Sequence, residues 1–406
     1  MNCLIGQSGG PSSVINSSLA GVIQASIDNN FDKIYVLRHG IEGLLNSNIS
    51  EIDKEKYNLN LANEKLKSRP SSILGSCRYK LPNNLDSPVY ENIFKKLKEL
   101  QITSFIYIGG NDSMDTVMKL NQYMEYKNIN FVNINGCPKT IDNDLMIMDH
   151  SPGFGSAAKY IANTIIDIRT DVDIYDVNTV TFVEIMGRNA GWLAASSLIT
   201  NFHHDREIVN LLYLSEQSIS KERIAEDIKL AFEKEKNLIV VISEGFMDTE
   251  NYFKEEIFRT YDLGFNHPII SGISRKLADY VYHELDIKTK AVELSITQRT
   301  NYMISKTDSE EAFNLGYKAL SLSLDNTNLV PILIRTNDNP YEIEYSHVYS
   351  FDIANKEKLI PKKWLLNEDI LRENIYRYVY PLIQGEVNPI VKNGLHRYIK
   401  LNEIIK

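Results

Sequence analysis

Two carboxylates, Asp142 and Asp144, are separated by a single residue in the segment of residues 138–144, and they follow Lys139 and Thr140. One carboxylate of such a pair can accept the proton of a hydroxyl group. The other can hold Mg²⁺, usually through water, and the lysine offers a point charge to phosphate oxygens. The competing interpretation is a solvated turn, because Asp and Asn favour turns. Five polar residues within this segment of seven, at the end of a candidate strand, favour the site.

The segment of residues 6–13 is rich in glycine and follows another candidate strand. Glycines such as Gly10 let the backbone approach a ligand closely. Pro11 suits a first helical turn, where free backbone amides face an anion. The segment is therefore either a phosphate cradle or a tight turn between strand and helix.

Residues 109–113 form a second glycine-rich strand end, with Gly110 followed by Asn111 and Asp112. The side-chain oxygens of this pair either face a metal ion or cap the helix that follows. Taken alone, the segment favours the helix cap.

Single charged residues follow other candidate strands. They are Arg78, Arg188, Glu244 and Arg299. Each alone is more often part of a surface ion pair. Their recurrence at successive strand ends is better explained by one site for an anionic ligand.

The elements that must position these residues alternate between short apolar runs and amphipathic stretches. Candidate strands cover residues 3–5, 33–38, 104–108, 131–134, 179–185, 211–214, 238–242 and 290–294, and candidate helices cover 155–169 and 221–235. This alternation predicts βαβ units with largely parallel sheets. In such folds the carboxyl ends of the strands carry the site. Residues 331–335 and 341–349 are two further candidate strands, and the charged tail from residue 356 is predicted to be helical.

Composition narrows the class of protein. The chain has 406 residues, 43% hydrophobic and 24% charged, with a net charge of −9. These values exclude a disordered chain and argue against a general nucleic-acid binder. We expect no membrane span and no secretory signal, and three scattered cysteines fit a reducing compartment. The expected location is cytoplasmic.

The set of motifs resembles the phosphofructokinase family, over most of the chain. The residues that carry the resemblance are Gly9-Gly10, Gly75-Ser76-Cys77-Arg78, Gly109–Ser113, Thr140–Asp144, Met186-Gly187-Arg188, Glu244 and Gln298-Arg299. The family phosphorylates the 1-hydroxyl of fructose 6-phosphate.

The resemblance implies an α/β fold class: two similar three-layer α/β domains with largely parallel sheets and an active site in the cleft between them. Residues 1–150 and 300–350 would form the phosphoryl-donor domain. Residues 151–299 would form the fructose 6-phosphate domain, and residues 351–406 a C-terminal helical extension.

The resemblance also implies roles for individual residues. Asp142 would match the catalytic base, Arg188 the arginine that stabilises transition-state charge, and Thr140 a residue that orients the transferred group. Fructose 6-phosphate would contact Thr140, Asp142, Met186, Gly187, Arg188, Glu244, Lys290 and Arg299. The donor would contact Gly10, Arg78, Gly110, Asp112 and Lys139, and Mg²⁺ would be held by Asn111 and Asp144.

Two departures from the ATP-dependent members concern the donor. Asp112 and Lys139 stand where those enzymes have glycine, and both changes occur together in the pyrophosphate-dependent branch. A carboxylate at residue 112 would repel the α-phosphate of ATP, and Lys139 would add a cation that also acts in catalysis. The resemblance therefore implies a reversible, Mg²⁺-requiring, pyrophosphate-dependent 6-phosphofructokinase of glycolysis and gluconeogenesis, a homodimer with no nucleic-acid or membrane partner.

Alternatives remain at this point. One is an ATP-dependent enzyme, and another is a silent phosphosugar-binding regulatory subunit, which Asn111 supports because the family usually has a Mg²⁺-binding aspartate there. A third is activity on sedoheptulose 7-phosphate. Thr179 and Ile296 replace an arginine and a histidine of the bacterial ATP-dependent enzymes, so the part of the sugar site shared between subunits is expected to differ.

Overall fold

The structure is a computed structural model, and it describes residues 1–202, 204, 206–250, 252–253 and 272–406. Its strands are β1 (Asn2–Gln7), β2 (Lys33–Leu37), β3 (Ile49–Glu51), β4 (Ile102–Gly109), β5 (Asn133–Pro138), β6 (Thr179–Ile185), β7 (Leu211–Tyr213), β8 (Asn237–Ser243), β9 (Lys288–Glu293), β10 (Ile304–Ser305), β11 (Leu329–Asp338), β12 (Tyr341–Tyr349), β13 (Glu386–Val387), β14 (Val391–Lys392) and β15 (Leu395–His396). Its α-helices are α1 (Ile15–Asp28), α2 (Gly40–Leu45), α3 (Lys54–Leu59), α4 (Ala62–Lys67), α5 (Pro88–Glu99), α6 (Asn111–Lys127), α7 (Phe154–Val172), α8 (Trp192–Ser196), α9 (Lys221–Ala231), α10 (Ile273–Leu285), α11 (Lys306–Leu322), α12 (Ser350–Ile353) and α13 (Glu368–Val379).

The chain divides into two compact units. The first unit comprises Met1–Ser156, Arg299–Glu357 and Leu382–Lys406, and the second comprises Ala157–Gln298 and Lys358–Pro381. The division near residues 156 and 299 lies close to the boundaries predicted from the sequence. The segment of residues 351–406, predicted to be a C-terminal helical extension, is divided between the two units. It is also only partly helical, since it contains β13, β14 and β15.

The first unit is built on a five-stranded sheet with the order β3-β2-β1-β4-β5. Its strands are parallel except β3, which runs antiparallel to β2. Successive residues of β1 and β4 pack into different cores: Ile5 and Ile106 into one, Leu4 and Phe105 into the other. Burial on both faces explains why these strands are continuous apolar runs. The sheet is therefore the middle layer of three.

Helices α1 and α11 pack closely on one side of this sheet. A Cβ on Gly21 of α1 would lie 1.9 Å from the carbonyl oxygen of Phe313, and one on Gly316 of α11 would lie 2.0 Å from that of Ser18. Only glycine permits this separation of the two backbones. The contact fixes α11 against the core. Residues of α11 also bind the segment of residues 150–156.

The second unit has a four-stranded, fully parallel sheet with the order β7-β8-β6-β9. One core packs Val180, Phe182 and Val240 of this sheet against apolar residues of α9 and α10, among them Ile224 and Leu277. The prediction of largely parallel α/β architecture is confirmed. Within the described residues, no helix is both long and apolar enough to cross a membrane.

Candidate active site

Lys139 comes directly after β5 and lies against two glycine-rich strand ends of the first unit. Its backbone N–H donates to the carbonyl oxygen of Gly109 at 2.9 Å. Its Nζ donates to the carbonyl oxygen of Gly10 at 2.5 Å. The parallel order of β1, β4 and β5 brings these strand ends to one edge of the sheet, as expected for a ligand-binding edge.

The ammonium group of Lys139 is held in an unfavourable place for a charge. The residue is only 2% exposed. Burial lowers its pKa to about 8, although Asp142 and Asp144 oppose this by raising it, and Arg299 lowers it further. Buried lysines of lowered pKa occur preferentially at functional sites. A desolvated cation of this kind binds an anion more strongly than an exposed one.

Small residues keep the space beside Lys139 open. Gly9 has φ +74°, and a Cβ there would lie 3.7 Å from Lys139 Nζ and 3.9 Å from the backbone nitrogen of Gly110. Ser76 donates its hydroxyl to the carbonyl oxygen of Gly9 at 2.5 Å, so the loop that carries Arg78 joins the same group. We call Gly9, Gly10, Gly110, Ser76 and Lys139 the glycine group.

Asp142 lies in a tight turn that begins at Thr140. The backbone N–H of Asp142 donates to Thr140 Oγ1 at 3.2 Å, and this hydroxyl donates to Asp142 Oδ2 at 3.5 Å. The side chains of Asp142 and Asp144 are half-buried. The charges of both carboxylates raise the pKa of Lys139, so the pair predicted from the sequence acts electrostatically on this cation.

Asn111 has structural partners. Its Nδ2 donates to the carbonyl oxygen of Lys356 at 2.7 Å, and its Oδ1 accepts the backbone N–H of Asn355 at 2.6 Å. The residue therefore fastens a chain segment to the start of α6. Metal coordination by Asn111 stays a prediction that its observed contacts do not support.

Asp112 is exposed at the first turn of α6. Its carboxylate pairs with Lys80 Nζ at 3.1 Å, and the two side chains are 67% and 60% exposed. Such a surface pair contributes little to stability. The carboxylate remains accessible, and it lies two residues from Gly110 of the glycine group.

The two cations predicted to hold the sugar phosphate belong to different units. Arg299 belongs to the first unit, where a Cβ on Gly10 would be 3.8 Å from its Nη1. Lys290 is the first residue of the candidate strand 290–294, whereas in the structure it is the third residue of β9, opposite Thr181. Its Nζ pairs with Asp171 of α7 at 3.3 Å. Because the strand continues to Glu293, Lys290 lies away from its carboxyl end.

The carboxyl ends of β6 and β8 gather the remaining predicted residues in the second unit. Glu244 donates its backbone N–H to the carbonyl oxygen of Ile185 at 2.8 Å. Gly187 has φ +133°, and a Cβ there would lie 2.5 Å from the carbonyl oxygen of Ala190, so the turn requires glycine. Arg188 follows with an exposed side chain. The structure thus brings Met186, Gly187, Arg188 and Glu244 together.

Some residues that shape the glycine group and the second-unit strand ends were given no role in the sequence prediction. Ser113 is 1% exposed, and its hydroxyl lies 3.9 Å from the position of a Cβ on Gly9. Gln298 accepts the backbone N–H of Met186 at 3.2 Å. Glu184 accepts bonds from Gly272 and Ser274 at the start of α10. All lie in or beside the motifs, but the partners of each side chain are known only from the fold.

Comparison with known proteins agrees with these features. Two units with largely parallel sheets, and with glycine-rich or charged segments after their strands, define an α/β protein. The chain belongs to the phosphofructokinase family, whose family model matches residues 2–323.

Individual relatives resemble the chain over nearly its whole length. It is 33% identical over 408 residues to the pyrophosphate–fructose 6-phosphate 1-phosphotransferase of Halomonas elongata, an alignment that covers 98% of this chain and 96% of the relative. The protein of the same name from Xanthomonas campestris pv. campestris is 34% identical, with 99% and 96% covered. The crystal structure of a pyrophosphate-dependent phosphofructokinase from Nitrosospira multiformis matches with a TM-score of 0.85 and 31% identity, covering 100% of this chain and 97% of the other.

Proposed function

We propose that this chain is a pyrophosphate-dependent 6-phosphofructokinase. It would transfer a phosphoryl group from pyrophosphate to the 1-hydroxyl of fructose 6-phosphate and release phosphate. The observation that carries this proposal is the buried ammonium group of Lys139, which lies against Gly10 in the glycine group. The names of relatives similar over nearly the full length support the same reaction.

The glycine group suits a small, highly charged donor. Gly10 and Gly110 leave backbone uncovered where phosphate oxygens would lie, and α6 begins at Asn111, so its N-terminal amides favour an anion. Lys139 would neutralise oxygens of the leaving phosphate, and Arg78 would contact the donor from the neighbouring loop. Phosphoryl transfer needs mainly such positioning and charge neutralisation.

Asp142 would act as the general base. It would take the proton of the sugar 1-hydroxyl while the hydroxyl oxygen forms a bond to phosphorus. The bond from that phosphorus to the bridging oxygen of pyrophosphate breaks, and phosphate leaves. Thr140, which donates to Asp142 Oδ2, would hold the carboxylate in the required orientation.

Mg²⁺ is the proposed metal, and Asp144 is the residue that fits it best. Its half-buried carboxylate lies close to Lys139, and Mg²⁺ is often held by one or two carboxylates together with substrate phosphates. Among the residues that the structure describes, no three His, Cys, Asp or Glu side chains form a metal cluster. Bound Mg²⁺ would neutralise the charge of the phosphate oxygens.

The sugar is assigned to the second group of residues. Met186, Gly187 and Glu244 would line fructose 6-phosphate, and Arg188 would stabilise charge that develops on the transferred group. Arg299 would contact the 6-phosphate, as the family resemblance implies. Lys290 has the weakest support, because it lies within β9 and already pairs with Asp171.

Asp112 is proposed to select the donor. Its exposed carboxylate near Gly110 would repel the additional phosphate of a nucleotide, by an amount that solvent and the pair with Lys80 reduce. Pyrophosphate, which lacks this additional phosphate, would not reach the carboxylate of Asp112. The carboxylate therefore excludes ATP, while Lys139 binds the shorter donor.

The cellular setting is also a proposal. We infer a cytoplasmic enzyme that acts reversibly in glycolysis and gluconeogenesis, because pyrophosphate and the product ester have similar transfer potential. We further propose a homodimer. Light scattering under assay conditions tests this, and a fully active monomer would reject it.

The donor assay tests the proposed function. The purified chain is given Mg²⁺, fructose 6-phosphate and either pyrophosphate or ATP, and formation of fructose 1,6-bisphosphate is measured. We expect turnover with pyrophosphate and little with ATP. Asp142→Asn, prepared in the same way, controls for contaminating kinases. Preference for ATP would favour the ATP-dependent alternative. Absence of turnover with both donors would favour a silent phosphosugar-binding subunit, and higher kcat/KM for sedoheptulose 7-phosphate would change the sugar.

A further inference from the structure

The loop that carries Asp142 is bound to the segment that follows it. The backbone N–H of Thr140 donates to the carbonyl oxygen of Pro152 at 3.1 Å, and Thr140 forms an isolated bridge with Gly153. The fully buried Asn143 accepts the backbone N–H of Ser151 at 3.0 Å. Asp142 lies between Thr140 and Asn143. The position of residues 151–153 therefore determines the position of Asp142.

Two acidic residues of α11 hold this following segment. Asp308 accepts the backbone N–H of Gly153 and that of Ser156, one at each carboxylate oxygen and both at 2.8 Å. Glu311, three residues later on the same helix, meets His150 Nε2 at 2.5 Å. Asp308 and Glu311 are 1% and 4% exposed. They face the loop side by side, as residues three apart on a helix do.

His150 joins the loop to a second element. Its Nδ1 lies 2.8 Å from Asp149 Oδ2, and Asp149 in turn pairs with Arg335 of β11 at 3.0 Å. Tyr341 of β12 donates its hydroxyl to the other oxygen of Glu311 at 2.6 Å. The imidazole is 1% exposed and lies between two carboxylates.

The charge of His150 strengthens this arrangement. Burial alone would lower its pKa, but Glu311 and Asp149 outweigh burial and raise the pKa to about 9. At neutral pH both ring nitrogens therefore carry protons and donate to the two carboxylates. Charge-assisted bonds of this kind are directional, so they fix the orientation of the segment as well as its burial.

We propose that His150 and Glu311 are positioning residues for Asp142, acting through the segment of residues 149–153. The inference rests on the proposed function, because it assumes that Asp142 is the general base. Neither residue touches substrate in this account. Their contribution is to hold the carboxylate of Asp142 at the distance that proton transfer requires.

Two substitutions of His150 separate its two bonds. In His150→Gln the side-chain amide reaches the position of Nε2 and keeps the bond to Glu311. In His150→Asn the shorter amide reaches only the position of Nδ1 and loses that bond. Tyr345→Phe is the matched control: it removes the Tyr345 hydroxyl bond to Asn314 of α11 but does not involve the loop.

Hydrogen exchange without substrate and steady-state kinetics are measured on all variants, below their unfolding temperatures. In His150→Asn we expect the amides of Thr140 and Ser151 to exchange about tenfold faster than in the wild type. We expect kcat to fall by about tenfold to about 10²-fold, since small misplacement of a catalytic group is costly. Both KM values should change much less. His150→Gln should recover most of kcat, and Tyr345→Phe should behave as the wild type.

Several results would overturn the inference. One is an unchanged kcat in His150→Asn with only a lower unfolding temperature, which would show a structural role alone. Another is an equal fall in kcat in His150→Gln and His150→Asn. Glu311→Gln replaces His150→Asn if the latter does not fold, with the same expected loss. Absence of turnover by the wild type would refute the proposed function, whereas unchanged exchange of Thr140 and Ser151 would refute the positioning link separately.

Discussion

Lys139 should give the activity a characteristic loss at alkaline pH. Its pKa is lowered to about 8, chiefly by burial, and only the protonated form neutralises pyrophosphate. The charged fraction falls from roughly nine-tenths at about pH 7 to roughly one-tenth at about pH 9. The kcat/KM for pyrophosphate, which reports groups of the free enzyme, should therefore fall about tenfold over this interval.

Lys139→Arg and Lys139→Met test the cause of this loss. Arginine stays charged at all these pH values. The alkaline fall in kcat/KM that is due to Lys139 should therefore be absent from the pH profile of Lys139→Arg. Titration of pyrophosphate itself is common to both enzymes and is cancelled by the comparison. Lys139→Met should lose about 2–5 kcal/mol of transition-state stabilisation, or about 30-fold to several thousandfold in kcat/KM.

Stability distinguishes loss of function from loss of fold. The folded-state pKa of Lys139 lies below its ordinary value of 10.5, so between about pH 8 and about pH 10.5 the unfolded chain binds more protons. This group therefore makes the free energy of unfolding rise with pH over that window. Lys139→Met should not lower the free energy of unfolding at neutral pH. A normal pyrophosphate activity in Lys139→Met, or an identical alkaline limb in Lys139→Arg, would refute the reasoning.

Three further single substitutions and one double variant test other assignments. Asp142→Asn keeps the shape of the side chain but removes its basicity, so kcat should fall about 10²–10⁴-fold with smaller changes in KM; kcat within a few-fold of the wild type would remove Asp142 from this role. Arg299→Ala should raise the KM for fructose 6-phosphate more than that for pyrophosphate, and the opposite order would assign Arg299 to the donor, which its closeness to Gly10 allows. Asp112→Gly should improve kcat/KM for ATP and retain much pyrophosphate activity, and Asp112→Gly with Lys139→Gly should have the highest ratio of ATP to pyrophosphate activity; unchanged ATP use in Asp112→Gly would show that the carboxylate does not select the donor.

The sequence predicts strands best where both faces of the sheet are buried. The predicted strand of residues 179–185 coincides with β6, which is rich in β-branched and aromatic residues and is buried along its whole length. β5 is different: it begins two residues after the predicted start and extends to Pro138. Its residues include Asn135, Gly136 and Pro138, which local propensity assigns to a turn. Pairing with β4 overrides that propensity.

Motifs at strand ends predict which residues gather, but they do not predict the partners of each side chain. Lys139 is found with both predicted carboxylates, as the local spacing indicates. Asn111 is bound by Asn355 and Lys356, more than 240 positions later in the chain. No pattern within the motif carries this information.

Lys290 shows a second limit of prediction from the sequence, which is the position of a strand's first residue. Its strand starts at Lys288, whereas hydrophobicity places the start at residue 290. That shift of two residues moves Lys290 from the first position of the strand to its interior. The contact between His150 and Glu311 is equally invisible in the sequence, because the residues are 161 positions apart.

Transfer of label from ³²P-pyrophosphate is the most direct test of the central claim. The purified chain is incubated with Mg²⁺, fructose 6-phosphate and the labelled donor, and the products are separated. The account predicts label in both fructose 1,6-bisphosphate and phosphate, with one labelled phosphoryl group in the sugar for each phosphate released, and no sugar labelling by Asp142→Asn beyond a small residual. Release of labelled phosphate without labelled sugar bisphosphate, or sugar labelling only from γ-³²P-ATP, would contradict it.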